Sequence, residues 1–234
     1  MSAPFPAPSP YLPQPSGKPW LIGLAHVAGG ALPYPLSRRD IERDTEWALR
    51  VYQWMGLREG VPIHLVGDGA HEVLWWPFEN AAMRLGIPWT EAESAAFDTR
   101  RTDMVLRRFG LQAVIGLSAP VVRGLLDEGR DLDTLLPKDL VLAATADGTR
   151  CLNEHGLRCW RIIRIGPIFA FEPPEGGGAR YDEREWRLDA SDGELRLTSL
   201  GNRAAPFVKL RTGIKGRVEE RAGREGPERF VVLD

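Results

Sequence analysis

Between Leu36 and Thr145 the chain alternates helix-like and strand-like stretches, and this alternation restricts its folds more than any other feature of the sequence. Ile41, Thr45, Ala48, Val51, Tyr52 and Met55 recur at helical spacing behind a candidate N-cap, Ser37, with Asp40 three positions on, and Gly56 ends the run. Gly60 to Val66 reads as a buried strand and Gly67-Asp-Gly69 as a turn. Ala70 to Leu85 reads as a helix kinked or delayed by Pro77. A short strand at Ile87 to Trp89, a helix from Asp98 to Phe109 and a strand from Leu111 to Leu117 follow. Ser118-Ala-Pro120 then opens a helix running to about Glu128, and Leu140 to Thr145 reads as a further strand. Strands joined by helices of this length pair in parallel through crossovers.

After about residue 160 the pattern changes. Ile162 to Phe171 is apolar around a Gly-Pro pair, and Pro173 to Gly178 is a loop. Glu185 to Asp189, Glu194 to Leu200 and Pro206 to Leu210 are strand-like, and the tail alternates Arg and Glu before a candidate edge strand at Phe230 to Leu233. The expected class is therefore α/β: a mainly parallel sheet with crossover helices, plus a smaller antiparallel β piece at the C-terminal end. The expected division is a proline-rich arm over 1–19, an α/β core over 20–160 and a β-rich subdomain over 161–234. The arm carries seven of the 19 prolines and reads as an extended tether.

Composition narrows the function classes. A net charge of -2 argues against a general polyanion binder, so nucleic acid is not an expected partner. The apolar stretch Trp20 to Leu32 is too short to span a bilayer and sits behind prolines, unlike a secretory leader, so it reads as a buried strand and turn. Two cysteines without CxxC spacing make no disulfide framework, and a cytoplasmic location is expected.

The candidate chemistry is sparse. His26, His64, His71 and His155 form no HxxxH or HExxH pattern, so no metal site is expected. His64 lies inside a strand and reads as a hydrogen-bonded core residue. Cys151 and Cys159 around His155 have no hydrolase signature, and Leu117-Ser-Ala lacks the GxSxG elbow. Asp68, His71 and Glu72 follow a strand's carboxyl end, the edge where open α/β sheets bind ligands, although acidic residues there also offset a helix dipole. Trp75 and Trp76, with Phe78 and Trp89 near, are candidates for a pocket wall, for core or for an interface.

The string from Gly193-Glu-Leu-Arg-Leu-Thr-Ser-Leu200 through Arg203-Ala-Ala-Pro-Phe207 to Arg211-Thr-Gly213 resembles the Gly-Glu-Leu-x-Leu-Thr and Tyr-Arg-Thr-Gly-Asp segments of adenylate-forming, AMP-binding enzymes. It is most similar to the phenylacetate–CoA ligase branch of these acyl-CoA synthetases. Elements over roughly 17 to 218 then follow that family in order, with Gly17-Lys18-Pro19 resembling the end of its phosphate loop. The resemblance implies an ATP-dependent acid–thiol ligase fold with ATP, magnesium and CoA as cofactors. The departures imply otherwise. Tyr11-Leu-Pro-Gln-Pro-Ser-Gly17 stands where the family has a Thr/Ser/Gly loop cradling phosphate. Ile214 replaces the aspartate that holds the ribose, and Ile162 to Gly166 offers no counterpart of the magnesium-linked glutamate. The chain also ends about 20 residues past Ile214, so the family's lid domain with its catalytic lysine is expected to be absent. Losing one such group costs about 2 to 4 kcal/mol of transition-state stabilisation.

The resulting expectation is a pseudoenzyme that binds an acyl or aryl carboxylate or an acyl-CoA, or scaffolds, without a required cofactor. The alternatives are half of a two-chain ligase completed by a lid-like protein, and a structural protein that forms a homodimer. The candidate binding residues are Asp68, His71, Glu72, Trp75, Trp76, Ser118, Arg211 and Thr212.

Overall fold

The computed structural model describes residues 19–223 and 226–234, so the proline arm and Gly17-Lys18 lie outside the described residues. An antiparallel hairpin, β1 (Leu21–Val27) and β2 (Gly30–Leu36), leads into α1 (Arg38–Trp54). The body then runs β3 (Ile63–Gly67), α2 (Glu72–Arg84), β4 (Trp89–Glu93), α3 (Thr99–Arg108), β5 (Ala113–Leu117), α4 (Ala119–Asp127), α5 (Leu132–Leu135), β6 (Val141–Thr145) and α6 (Ala146–Glu154). The rest is β: β7 (Trp160–Ile165), β8 (Ile168–Glu172), β9 (Trp186–Ser191), β10 (Glu194–Ser199), β11 (Leu210–Gly223) and β12 (Gly226–Leu233).

Strands β4-β3-β5-β6-β7-β8 form one six-stranded sheet, parallel except for the closing β7–β8 hairpin. Period-two alternation sorts its side chains onto two faces. Ile63, Leu65, Ala113, Ile115 and Ile162 pack under α1 and α2 with Trp47, Trp75 and Phe78. Val66, Val114, Leu117 and Leu142 pack against α4 and α6 on the other face. The second sheet, β12-β11-β10-β9, is wholly antiparallel. The β7–β8 hairpin serves two cores: Ile162, Phe169 and Phe171 face the helices, while Ile163, Ile165, Ile168 and Ala170 face Trp186, Leu188, Leu195 and Leu197 of the second sheet.

Most elements lie where the pattern puts them, and the differences have local causes. Ser37 caps α1 in a reciprocal capping box: its Oγ accepts from the Asp40 amide at 3.2 Å, and Asp40 Oδ2 accepts from the Ser37 amide at 2.8 Å. The strand expected at Ile87 to Trp89 instead runs over Trp89–Glu93, because the Ile87 amide still closes the end of α2 on the Ala82 carbonyl. Pro206 to Leu210 is not a strand: Pro206 has no amide to give, and Lys209 turns the chain through the left-handed region at φ 51° before β11 begins. The Arg/Glu alternation of the tail is the β11–β12 hairpin, on one face of which Glu219 accepts from both Arg217 and Arg221. His64 is a core residue, its Nδ1 at 2.7 Å from Thr90 Oγ1 and its Nε2 at 3.2 Å from Thr102 Oγ1. No helix among the described residues is long and apolar enough to cross a membrane.

One buried cation joins α1 to the second sheet. Arg203, 3% exposed, lies 2.7 Å from Asp44 Oδ2, 3.3 Å from Glu185 Oε2 and 3.7 Å from Asp40 Oδ1, and stacks over Trp186. The carboxylates around it hold the guanidinium charged against the cost of burial. Replacing Arg203 by Met should destabilise the fold by about 3 to 5 kcal/mol in urea titration, because it strands buried carboxylates; a loss under about 1 kcal/mol contradicts this role. Burial pushes the His64 pKa down from 6.5 to about 4. Below pH 6.5 the unfolded chain binds a proton that the folded one refuses, so stability falls between about pH 6.5 and 4, by roughly 3 kcal/mol at most. In His64→Gln this part of the acid slope should disappear; an unchanged slope places the titration elsewhere.

Candidate functional site

Sheet order fixes where a ligand site can form. β3 passes first to β4 on one side and the chain then returns to β5 on the other, so the crossovers diverge between β3 and β5, the topological switch point of an open sheet. A cavity of about 520 Å³ opens there, at the carboxyl ends of β3, β5, β6 and β7. Its volume is that of a small-molecule site. A smaller void of about 30 Å³ between α1, α2 and β8 has room for about one water.

Two glycines let the strands meet this closely. Gly116, at φ 102° in a bulge of β5, lies where a Cβ would collide with the Val66 carbonyl and crowd the Trp75 ring. Gly148, in the first turn of α6, touches the Leu117 carbonyl in the same way. Thr145 caps α6, accepting from the Gly148 amide, and its hydroxyl lies 3.2 Å from the Leu117 carbonyl.

Asp68, His71, Trp75 and Ser118 come together in the wall of this cavity. Asp68 follows β3, and the His71 amide donates to its carbonyl at 2.7 Å. The His71 Nδ1 lies 2.8 Å from Asp68 Oδ2. Burial lowers the His71 pKa, opposed by the hydrogen bond from Asp68 and reinforced by Arg164 and His26. The neutral ring thus donates from Nδ1, and its Nε2 is buried without a hydrogen-bond partner, beside the His26 ring at 5.0 Å. Ser118 Oγ points back to the Ser94 carbonyl at 3.4 Å.

The other candidates lie elsewhere. Glu72 lines a separate cleft of about 460 Å³ with Glu79, Glu91 and Glu93, where burial and the neighbouring Glu91 and Glu72 push the Glu79 pKa up to about 7. Trp76 stacks on Trp20 with centroids 5.0 Å apart. Arg211 donates to Glu194 Oε2 at 2.7 and 3.0 Å, while Glu194 Oε1 takes the Gly213 amide. The Thr212 hydroxyl donates to the Leu195 carbonyl at 2.8 Å. The two halves of the 193–213 string therefore bind each other and form the turn that presents Ile214 to the cavity. Cys151 and Cys159 are both buried, and burial raises the Cys159 thiol pKa, which weakens it as a nucleophile. Among the described residues no group of three His, Cys, Asp or Glu side chains is placed to hold a metal ion.

Arg164 is a wall residue that the candidate set omits. It is half-buried on β7, with Ile162, Phe169, Ile163 and Leu233 as further lining. Arg164, flanked by Ile162, Ile163 and Ile165 in a strand whose other charge is Arg161, is a signal legible in the sequence. Burial lowers its pKa and Asp68 opposes this at longer range; among the described residues no carboxylate lies within salt-bridge distance. The Asp147 carboxylate, also in the wall, accepts from Thr145 and the Gly148 amide.

No protein-family model matches the sequence, and no curated protein matches it. Solved structures do match the fold. An open conformation of 2-hydroxyisobutyryl-CoA ligase, in complex with 2-HIB-AMP and CoA, superposes with a TM-score of 0.67 at 14% identity, over 97% of this chain and 59% of that one. A malonyl-CoA ligase with methylmalonyl-CoA and AMP bound gives 0.56 at 14%, over 92% and 52%. The o-succinylbenzoate CoA synthetase of Bacillus subtilis gives 0.55 at 11%, over 89% and 48%. The chain has the fold of the adenylate-forming CoA ligases and spans about half to three-fifths of the length of these structures.

In solution the His71 ring should titrate with a midpoint below 6.5, read by NMR of the ring carbons. Asp68→Asn removes the raising influence and should move the midpoint lower still; an upward shift contradicts the assigned pairing.

Proposed function

We propose that this chain is a binding module built on the CoA ligase core, which takes a small acyl or aryl carboxylate, or its thioester, in the switch-point cavity without adenylating it. The observation that carries this reading is the cavity itself: about 520 Å³, walled by Trp75, Phe169, Ile162 and Ile214, at the edge where this fold presents ligands. Its apolar body suits an acyl or aryl group, and the shared fold supports a ligase-like ancestry.

The cavity fits ATP and magnesium poorly. Ile214 lines it where the family's aspartate would accept a ribose hydroxyl, and an alkyl branch accepts nothing. Ile162 to Gly166 contributes a guanidinium instead of the magnesium-linked carboxylate. The two carboxylates in the wall are engaged by His71 and by the first turn of α6. These residues support no step through a nucleotide. A second reading is a ligase core that works together with another polypeptide, and the fold shared with the CoA ligases supports it.

Calorimetric titration with ATP and magnesium should give no binding heat up to several millimolar, while an aryl carboxylate such as phenylacetate should bind more tightly than about a millimolar, some 4 kcal/mol. ATP binding in that range, or ATP–pyrophosphate exchange by the pure protein, overturns the reading. Activity that emerges only on adding a second chain selects the second reading.

A further inference from the structure

Among the described residues one charge in the cavity wall, Arg164, has no salt-bridge partner and feels Asp68 only at longer range. Asp68 is tied to His71, and Asp147 is tied to Thr145 and Gly148. Arg164 has no such partner among the described residues, yet it stands half-buried between Ile163 and Ile165, in a strand whose other arginine, Arg161, pairs with Glu172. A half-desolvated guanidinium with no carboxylate in direct contact is costly to keep in a folded chain. Its planar fork of donors matches the two oxygens of a carboxylate.

We propose that Arg164 is the anchor for the carboxylate of the ligand, so that the cavity selects the free acid over its amide or thioester, with the apolar body of the acid lying against Trp75, Phe169 and Ile162. This rests on the proposed binding function and narrows it. The free acid presents two charged oxygens to the guanidinium. A thioester or amide presents one neutral carbonyl and leaves the buried cation without its counter-charge. The charge at Arg164 stands where the sequence resemblance places the family's nucleotide segment, so the end of the cavity at β7 would now hold the anionic end of the ligand itself.

Stability separates an anchor from a structural arginine. If Arg164 awaits a ligand, Arg164→Met should leave the melting temperature of the free protein unchanged or raise it, because the variant removes an unpaired buried charge and keeps the stem packing. The same variant should bind phenylacetate at least tenfold more weakly in calorimetry. Arg164→Lys, which keeps the charge but loses the fork, should fall between, and Arg161→Met should bind as the wild type does. Phenylacetamide and phenylacetyl-CoA should each bind the wild type at least tenfold more weakly than phenylacetate.

Binding of phenylacetate by Arg164→Met within twofold of wild type overturns the anchor and leaves the proposed function standing. Amide or thioester bound as tightly as the acid does the same. A melting temperature lowered by more than about 3 °C in Arg164→Met, near 1 kcal/mol for a chain of this size, assigns the residue a structural role and also overturns it. If acid, amide and thioester all fail to bind the wild type, the proposed function falls and the anchor with it.

Discussion

The guanidinium of Arg203 is the constraint on which the rest of the molecule depends. It lies between the start of α1 and the second sheet, and the groups it gathers come from both: Asp40 and Asp44 from the helix, Glu185 from the approach to β9. Asp40 serves two structures at once, since the carboxylate that completes the capping box with Ser37 also accepts the Ala204 amide at 3.1 Å. A buried cluster of this kind is satisfied in one relative placement of helix and sheet. That placement brings Ile214 and Leu233 of the second sheet over the carboxyl edge of the first, where they close the cavity. The β7–β8 hairpin reinforces it by lending its two faces to two cores.

The cavity lies at the strand ends where open α/β sheets bind ligands. The polar residues that border it are largely occupied with one another. His71 is oriented by Asp68 and shut from solvent at Nε2, Ser118 points to a backbone carbonyl, and Arg211 and Thr212 hold their own turn. These hydrogen bonds fix the side chains in the cavity wall and in the turn beside it. Arg164 is the contrasting case, a charge whose burial is offset only weakly by Asp68.

The parallel body was legible because its pattern is local. The helical period of Ile41 to Met55 and the cap at Ser37 act over a few residues, and physical reasoning recovers such signals directly, whereas the bulge at Gly116 emerges only in the assembled sheet. The hairpin of β11 and β12 was harder to read, since Arg217, Glu219 and Arg221 satisfy one another along β11 and the alternating charges look like a solvated tail. The site was half legible. Asp68, His71, Trp75 and Ser118 follow from the rule that ligands gather at strand ends. Arg211 and Thr212 drew attention through a motif whose polar atoms turn inward, and only the three-dimensional register with Glu194 and Leu195 reveals this. Arg164 carried a readable signal, a charge in an apolar strand, but its isolation from other charges is a property of the assembled sheet.

The most direct test is a crystal structure of the protein grown with phenylacetate. The account predicts density in the cavity between β3, β5, β6 and β7, with the carboxylate within hydrogen-bond distance of the Arg164 guanidinium and the ring against Trp75 and Phe169. Phenylacetate bound in the acidic cleft beside Glu79, or seated in the cavity with its carboxylate turned away from Arg164, would contradict it.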